Sequence, residues 1–239
     1  YRTNGALDTT FGGGDGIAPT TESRGAESYG TGLQADGRII VATDDGVYRM
    51  DNDGTSSTKI ISGSFRGIQV WEDGDMLAID ADFDVHRYTR DAIKEQSYEN
   101  NFGYSNSILQ LPDNRMLVIG DDGGDIVISR HLASGAVDTT FGSTGRTILP
   151  VLQGNDVGYR ATLQADGKIL IVGYTDTGAN QDIAVGRLFY DGVPDNSFFT
   201  GYDDATVSLA VSPSGDDYGY SVIYLQDGRI LVAGRAGLD

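Results

Sequence analysis

The stretch that decides the fold is Leu163-Gln-Ala-Asp-Gly-Lys-Ile-Leu-Ile-Val-Gly173. An Asp-Gly pair between two strand-like runs is typical of a β-hairpin, because glycine accepts the positive φ of a tight turn. The pattern returns as Leu33-Gln-Ala-Asp-Gly-Arg-Ile-Ile-Val-Ala42 and Leu225-Gln-Asp-Gly-Arg-Ile-Leu-Val-Ala-Gly234. Weaker copies are Val70-Trp-Glu-Asp-Gly-Asp-Met-Leu-Ala-Ile79 and Leu111-Pro-Asp-Asn-Arg-Met-Leu-Val-Ile-Gly120. The chain therefore carries five copies of one hairpin.

Further features keep a fixed order after each hairpin. The turn aspartates, at separations of 37, 40, 53 and 61 residues, are Asp36, Asp73, Asp113, Asp166 and Asp227. A third strand bears an arginine 13 to 21 residues after the first four of them, at Arg49, Arg87, Arg130 and Arg187. A hook such as Val137-Asp-Thr-Thr-Phe-Gly142 follows, and then a fourth strand such as 147–151 or 206–211. Each repeat is thus predicted to form four short antiparallel strands.

Four-stranded repeats of about 40 to 60 residues are typical of β-propeller blades. We predict an all-β fold, a five-bladed β-propeller that forms a single domain over residues 1–239. The segment 1–12 matches 131–142, and the chain ends in the first half of a repeat. We therefore expect the segment near Gly16 to Thr21 to complete the last blade as its outer strand and to close the ring. An arc cut from a longer array is the alternative.

The hairpin, the arginine-bearing strand and the Asp-Thr-Thr-Phe-Gly hook together resemble the delta-60 repeat of bacterial β-propellers. The resemblance covers nearly the whole chain and is most specific in the third and fourth repeats and in the split fifth. The first two repeats lack the hook or retain only a remnant, Glu99-Asn-Asn-Phe-Gly103. The resemblance implies a propeller of large, often secreted or surface proteins of bacteria. It implies no enzymatic activity that can be assigned to individual residues.

The composition excludes several classes of function. The 239 residues carry a net charge of −18, with 17 Lys+Arg against 35 Asp+Glu. Nucleic acid is therefore a poor partner, because phosphate binding needs basic patches. The apolar runs are too short for a transmembrane helix, and the absence of cysteine excludes disulfides and zinc–thiolate sites.

Repeated residues most often have structural roles. We expect the strand-three arginines to bind neighbouring loops, including the hook residues Asp138 and Asp195. The hook phenylalanines are expected to pack between blades, at Phe11, Phe102, Phe141 and Phe198.

An aromatic set stands seven to nine residues before the turn aspartates, at Tyr29, Phe65, Tyr104, Tyr159 and Tyr220. It falls at the start of the first strand, which lines the channel of a propeller. These aromatics either pack between blades or ring one mouth of the channel, where they would bind a ligand. Aromatic faces suit sugars and other amphipathic ligands.

Aspartates are predicted to gather on one face of the propeller. They occur in the loops that join strands two and three of a blade (two–three loops) and in the loops that join strand four to strand one of the next blade (four–one loops). This acidic face is either a solvated surface, a site for a hard cation or a surface for a basic partner. Calcium is the one cofactor that these loops could hold, since it takes six to eight oxygen ligands. The candidate metal ligands are Asp80, Asp82 and Asp84 in one loop, and Asp121, Asp122 and Asp125 in another.

No catalytic residues are singled out by the sequence. The two histidines, His86 and His131, lie beside the repeated arginines and are expected to be structural. We therefore predict a non-enzymatic recognition module that binds a glycan or a protein and is extracellular, at a cell surface or on a virion. It could belong to a larger multidomain chain or assembly. The alternatives are a structural subunit of a fibre, virion tail or surface filament, and a glycosidase.

Overall fold

A computed structural model describes residues 1–18, 27–80, 84–98, 103–152, 154–199 and 205–237. The chain divides into two compact units, residues 1–99 and 100–239, and each unit is described here by itself. The prediction of a single domain over 1–239 stays a prediction.

The described residues form eighteen strands and no helix. Unit 1 contains β1 (Ser28–Leu33), β2 (Ile39–Thr43), β3 (Gly46–Met50), β4 (Ser57–Ser62), β5 (Phe65–Val70), β6 (Met76–Asp80), β7 (Val85–Tyr88) and β8 (Lys94–Tyr98). Unit 2 begins with β9 (Tyr104–Gln110), β10 (Met116–Asp121), β11 (Ile126–His131), β12 (Arg146–Leu149) and β13 (Asp156–Leu163). It continues with β14 (Ile169–Asp176), β15 (Gln181–Leu188), β16 (Thr206–Leu209), β17 (Tyr218–Tyr224) and β18 (Ile230–Arg235). Since the described part of the chain has no helix, it has none that could cross a membrane.

The strands form four antiparallel four-stranded sheets in simple sequence order, β1–β4, β5–β8, β9–β12 and β13–β16. This confirms the predicted all-β fold and the four strands of each of the first four repeats. The fifth repeat contributes the two-stranded hairpin β17–β18. The outer strand predicted near Gly16 to Thr21 is not formed at Gly16–Ala18, and residues 19–21 lie outside the described residues. The five-bladed closure stays a prediction.

The turn between the first and second strands has the same chemistry in all five repeats. The carboxylate of the turn aspartate accepts a hydrogen bond from the backbone N–H two residues later, at Arg38, Asp75, Arg115, Lys168 and Arg229. The intervening residue has a positive φ, as at Gly167 (83°). Asn114 takes this place in the third repeat with a φ of 63°, which asparagine tolerates better than most residues. The Asp-Gly signal therefore has a direct conformational cause.

The core lies between consecutive sheets. In unit 1 the buried side chains come from both sheets, including Val47 of the first and Met76 of the second. In unit 2 a cluster that includes Ile128, Phe141 and Ile171 joins the third and fourth repeats. A second cluster joins the fourth repeat to Val222 of the hairpin β17–β18. Burying these apolar faces against one another is the main driving force for packing the repeats.

Buried ion pairs hold the hooks of the third and fourth repeats. Arg130 Nε donates to Asp138 Oδ2 at 2.8 Å, and Arg187 Nε donates to Asp195 Oδ2 at 2.7 Å. The predicted binding of strand-three arginines to hook aspartates is confirmed in these repeats. In the second repeat, Arg87 pairs instead with Asp75 and Glu95.

The same arginines also reach the following repeat. Arg130 Nη1 donates to the carbonyl of Tyr190 at 2.6 Å, three residues beyond Arg187. Arg49 Nη2 donates to the carbonyl of Arg90, three residues beyond Arg87. Thus one guanidinium at a repeated position links consecutive sheets in each unit.

The hook phenylalanine and glycine dock on the next repeat. Phe141 is fully buried, and the N–H of Gly142 donates to the carbonyl of Asp191 at 2.8 Å. Phe141 lies so close to Gly192 that a Cβ there would approach its ring to 2.9 Å. In unit 1 the N-terminal hook repeats this contact, since Phe11 lies against Gly54 and the N–H of Gly12 donates to the carbonyl of Asp53 at 2.8 Å.

This packing confirms the expected role of Phe141 between consecutive repeats. Phe198 is partly buried against the cluster that joins the fourth repeat to the hairpin. Phe102 lies outside the described residues.

Hydrogen bonds set the ionisation of the two hook aspartates. Burial acts to raise the pKa of Asp138, but hydrogen bonds from Thr140, Arg115 and Arg130 outweigh it and hold the pKa well below 3.8. Asp195 follows the same rule, since burial is outweighed by Ser197, Lys168 and Arg187 and its pKa is strongly lowered. Both hooks therefore favour the charged carboxylate in the folded state.

We expect Asp138→Ala to lower the free energy of unfolding by roughly 3–5 kcal/mol, because it leaves the buried Arg130 guanidinium without its carboxylate. Urea unfolding followed by circular dichroism measures the loss. The matched control is Arg229→Ala, which breaks an exposed pair with Asp227 but keeps the turn aspartate, and it should cause no measurable loss. Equal losses in the two variants would contradict the role given to the hook.

Acid should weaken the fold through the same groups. The pKa of Asp195 is depressed in the folded state and ordinary, at 3.8, when exposed, so the unfolded chain takes up protons first as the pH falls. The stabilisation is therefore complete above about pH 5 and declines below about pH 4. The stability difference between the wild type and Asp195→Asn, measured by urea unfolding at pH 6 and at pH 3, should shrink on acidification. A difference that stays constant would refute this linkage.

Candidate functional site

The first strand of every repeat contains a β-bulge at the same place. The register shifts by one residue and leaves one residue unpaired, at Tyr29, Arg66, Asn106, Tyr159 and Tyr220. A bulge bends the strand and redirects the side chain of the extra residue. These five residues are called the bulge set below.

The bulge set lies at one fixed distance from the hairpin turn. Each member stands seven residues before its turn aspartate, as Tyr159 does before Asp166. The aromatic set was predicted with a spacing of seven to nine residues before the turn aspartate. That wider spacing placed Phe65 and Tyr104 in the set for the second and third repeats. The bulge positions of these repeats belong to Arg66 and Asn106, which are not aromatic. The constant spacing was a signal that could have identified them.

Phe65 and Tyr104 take other positions. Phe65 is 3% exposed and packs in the core of unit 1, with its ring centroid 6.5 Å from that of Tyr88. Phe65 therefore packs in the core and also lines a cavity of unit 1, and its role in ligand binding stays a prediction. Tyr104 begins β9 opposite Asp121 and is 52% exposed.

In unit 1 the two bulge side chains contact each other. The guanidinium of Arg66 lies over the ring of Tyr29, 4.5 Å from its centroid. The hydroxyl of Tyr29 donates to Glu27 at 2.7 Å. A cation on an aromatic face beside a carboxylate is a favourable arrangement, because the ring face and the carboxylate both attract positive charge.

In unit 2 the bulge side chains contact the neighbouring first strand. Asn106 Nδ2 donates to the carbonyl of Gly158 at 3.0 Å. Tyr159 contacts Tyr220, with ring centroids 5.4 Å apart. A glycine lets β17 lie close to the fourth repeat, since a Cβ at Gly219 would lie 2.4 Å from the side chain of Val172 in β14.

Two further tyrosines complete a cluster in unit 2. Tyr174 lies 5.8 Å from Tyr159, and Tyr218 lies 5.2 Å from Tyr174, measured between ring centroids. Tyr218 and Tyr220 are parallel, with centroids 6.1 Å apart. The four rings of Tyr159, Tyr174, Tyr218 and Tyr220 therefore form a closed circuit, which we call the tyrosine cluster. Tyr220 remains 46% exposed, so a ligand can reach the cluster.

Carboxylates surround the tyrosine cluster. Burial, the neighbouring tyrosines and Asp121 raise the pKa of Tyr159 to about 12. Burial and the charges of Asp121, Asp176 and Asp156 raise the pKa of Tyr174 as well. Burial raises the pKa of Asp121 itself and outweighs a hydrogen bond from the N–H of Gly123. The cluster is thus apolar at its centre and negative around it.

The predicted calcium loops use their carboxylates locally. Asp121 accepts from the N–H of Gly123, and Asp122 accepts from the N–H groups of Gly124 and Asp125. Among the residues that the structure describes, no three His, Cys, Asp or Glu side chains gather as a metal site. Asp121, Asp122 and Asp125 are therefore not gathered as the predicted site, and one oxygen each of Asp121 and Asp122 is bound by N–H groups of their own loop.

The other predicted calcium loop is only partly described. Asp80 accepts from the N–H of Asp84 at 3.0 Å and lies 2.6 Å from His86 Nε2. Asp82 lies outside the described residues. No metal site is proposed here.

Other aspartates of the predicted acidic face also cap loops. Asp156 accepts from the N–H of Val151 at 2.7 Å, and Asp217 accepts from the N–H groups of Val211 and Ser212. Both aspartates are fully buried. They hold the four–one loops and are not part of a solvated surface.

His86 belongs to a polar network beside a cavity of about 260 Å³ in unit 1. Because a carboxylate only accepts hydrogen bonds, His86 Nε2 donates to Asp80, and Nδ1 lies 3.0 Å from Ser97 Oγ. The described lining of the cavity includes Asp80 and His86 but not Ser97. The network therefore links β6, β7 and β8, which fits the structural role expected for this histidine. His131 is buried as well, and its Nδ1 lies 2.9 Å from the carbonyl of Gly135.

Comparison with known families identifies two of the repeats. Residues 111–141 and 164–198 match the family described as a domain of unknown function (DUF5122) beta-propeller. This match confirms the resemblance to the delta-60 repeat. No curated protein matches the sequence.

Several solved propeller-type structures are similar. The extracellular domain of a hybrid two-component system from B. thetaiotaomicron is 13% identical, with a TM-score of 0.55, over 91% of this chain and 28% of that one. Virginiamycin B lyase from Staphylococcus aureus is 13% identical, with a TM-score of 0.57, over 91% and 73%. YCF48 bound to D1 peptide is 10% identical, with a TM-score of 0.56, over 91% and 64%. The chain thus spans little more than a quarter of that extracellular domain, and at these identities the similarity shows the fold alone.

The tyrosine cluster predicts a late step in a spectrophotometric titration. Since the pKa of Tyr159 is raised to about 12, its hydroxyl should ionise above the ordinary tyrosine range while the fold persists. Tyr159→Phe should remove one tyrosinate from the upper end of the absorbance titration. Removal of a tyrosinate near pH 10 instead would show that Tyr159 is not buried against the other rings.

Proposed function

Because the chain carries repeats of the DUF5122 beta-propeller family, we propose that it is a non-enzymatic recognition module that binds a glycan or a protein through its bulge set. The observation that carries the proposal is the tyrosine cluster at the bulges of the fourth and fifth repeats. Four adjoining rings, one of them 46% exposed, offer more aromatic surface than a solvated strand needs. Exposed tyrosines are common anchors of binding surfaces, because each presents a large apolar face and a polar tip.

The repeat architecture supports this proposal. A bulge at one position in every repeat lets each blade present a different side chain from the same backbone site. Substitution at these five positions therefore changes the binding surface and leaves the hairpin turns and hooks intact. Loops and irregular positions on a rigid scaffold are where binding residues concentrate.

The proposal includes the five-bladed ring and a location outside the cell, at a cell surface or on a virion. Support for the ring comes from the N-terminal hook, which docks on Gly54 as the hook of the third repeat docks on Gly192. Support for the location comes from the resemblance to the delta-60 repeat and from the similarity to an extracellular domain. Support for peptide binding by such a fold comes from YCF48, which was solved with a bound peptide.

The test is a binding screen of the purified chain on glycan and peptide arrays, followed by affinity measurements on any ligand found. We expect Tyr220→Ala to weaken binding by about tenfold or more, since truncating a central aromatic anchor costs more than about 1 kcal/mol. Tyr220→Phe should retain most of the affinity, because it keeps the ring. Tyr104→Ala is the matched control, because Tyr104 is exposed but lies outside the bulge set.

The outcomes separate the alternatives. Equal effects of Tyr220→Ala and Tyr104→Ala on binding would refute the bulge set as the binding surface. Ordered self-association in light scattering, without any small ligand, would favour the structural subunit of a fibre or filament. Turnover of a glycoside would favour the glycosidase.

A further inference from the structure

We propose that the tyrosine cluster binds the guanidinium groups of arginine side chains in a partner protein. This inference rests on the proposed function and names the chemistry of the ligand at the same surface.

Unit 1 shows the same interaction within the chain. There the bulge residue Arg66 places its guanidinium 4.5 Å from the ring centroid of the bulge residue Tyr29. Glu27 lies beside them and accepts from the Tyr29 hydroxyl. The bulges of two consecutive repeats thus form a site in which an aromatic face holds a guanidinium, while a carboxylate binds the hydroxyl of the same ring.

In unit 2 the bulges of the fourth and fifth repeats provide aromatic rings, but neither bulge carries a cationic residue as Arg66 does in unit 1. The bulge residues of the fourth and fifth repeats are both tyrosines, Tyr159 and Tyr220. Within the described part of unit 2, the only cation stacked on the tyrosine cluster is Arg235, 5.8 Å from the ring centroid of Tyr218. The exposed part of the Tyr220 ring therefore remains available for a cation from another molecule.

The charges around the cluster favour a cation. The negative charge of Asp121 raises the pKa of Tyr159 and of Tyr174. The charges of Asp156 and Asp176 also raise the pKa of Tyr174. Asp156 is fully buried, and its Oδ1 has no hydrogen-bond partner in the described residues. The Oγ1 of Thr175, which pairs with Asp156 across the strands, is likewise buried and unpartnered. The N–H of Val151 offsets charge at Oδ2 of Asp156, but no hydrogen bond does so at Oδ1.

Guanidinium fits this surface better than ammonium. It is planar and weakly hydrated, so it can lie flat on a tyrosine ring while its edges donate hydrogen bonds to carboxylates. A neutral sugar could stack on the same rings but would gain nothing from the surrounding carboxylates. The net charge of −18 would also attract a basic segment over a longer range.

The experiment is calorimetric titration of the full chain with an end-blocked tetra-arginine peptide. The same peptide with citrulline in place of arginine is the control ligand, because citrulline has nearly the same shape and no charge. We expect arginine to bind at least tenfold more tightly than citrulline at low salt. Equal affinities would overturn the inference.

Variants locate the binding and exclude a general effect of negative charge. Tyr220→Ala and Asp121→Asn should each weaken tetra-arginine binding about tenfold, while Tyr220→Phe should bind as the wild type does. Asp166→Asn removes the same charge from a hairpin turn outside the cluster and should leave the affinity unchanged. A loss in Asp166→Asn as large as that in Asp121→Asn would overturn the inference in favour of non-specific attraction.

The two proposals can fail separately. If the array ligand depends on Tyr220 but arginine and citrulline bind alike, the recognition surface stands and the guanidinium inference fails. If neither the array ligand nor tetra-arginine depends on Tyr220, both proposals fail.

Discussion

The ion pair between a strand-three arginine and the hook aspartate is the interaction on which the third and fourth repeats depend. Arg130 is 3% exposed and Asp138 is 5% exposed, so neither charge can be left alone in this environment. Each needs the other, together with the hydroxyl and N–H of Thr140 on the carboxylate and the carbonyl of Tyr190 on the guanidinium. One pair therefore fixes the hook within its repeat and ties the repeat to the next.

A second constraint connects this framework to the candidate site. The turn aspartate accepts the N–H two residues later and so fixes where each hairpin reverses. The bulge always falls seven residues before that aspartate, and therefore the register of the turn decides which side chain the bulge redirects. A substitution at Tyr159 or Tyr220 changes the surface, whereas a shift of the turn would move every side chain of the strand to the opposite face.

The sequence predicted the parts of the fold that rest on local chemistry. The Asp-Gly turns and the pairing of Arg130 with the hook at 137–142 each have a conformational or electrostatic cause that acts within one repeat. The site was harder to predict because it depends on register. Arg66 and Asn106 carry no aromatic signal, and Tyr174 and Tyr218 join the cluster only through pairing with neighbouring strands. The calcium prediction rested on composition, which does not reveal that N–H groups of the loop bind one oxygen each of Asp121 and Asp122.

The distribution of hydrogen bonds gives the net charge of −18 a more specific meaning. Most described aspartates in turns and loops accept backbone N–H groups, as Asp166 and Asp217 do, so their charge is offset locally. Asp156 differs from Asp217 at one oxygen: Oδ1 of Asp217 accepts from the N–H of Gly237 at 3.0 Å, whereas Oδ1 of Asp156 has no partner among the described residues. Of these two equivalent loops, only the loop of Asp156 leaves a carboxylate oxygen without a hydrogen bond among the described residues. The charge of Asp156 raises the pKa of Tyr174 in the tyrosine cluster. Because unpaired buried charge is costly, a cation bound at the cluster would recover part of this cost, which is a physical reason for a basic ligand at this place.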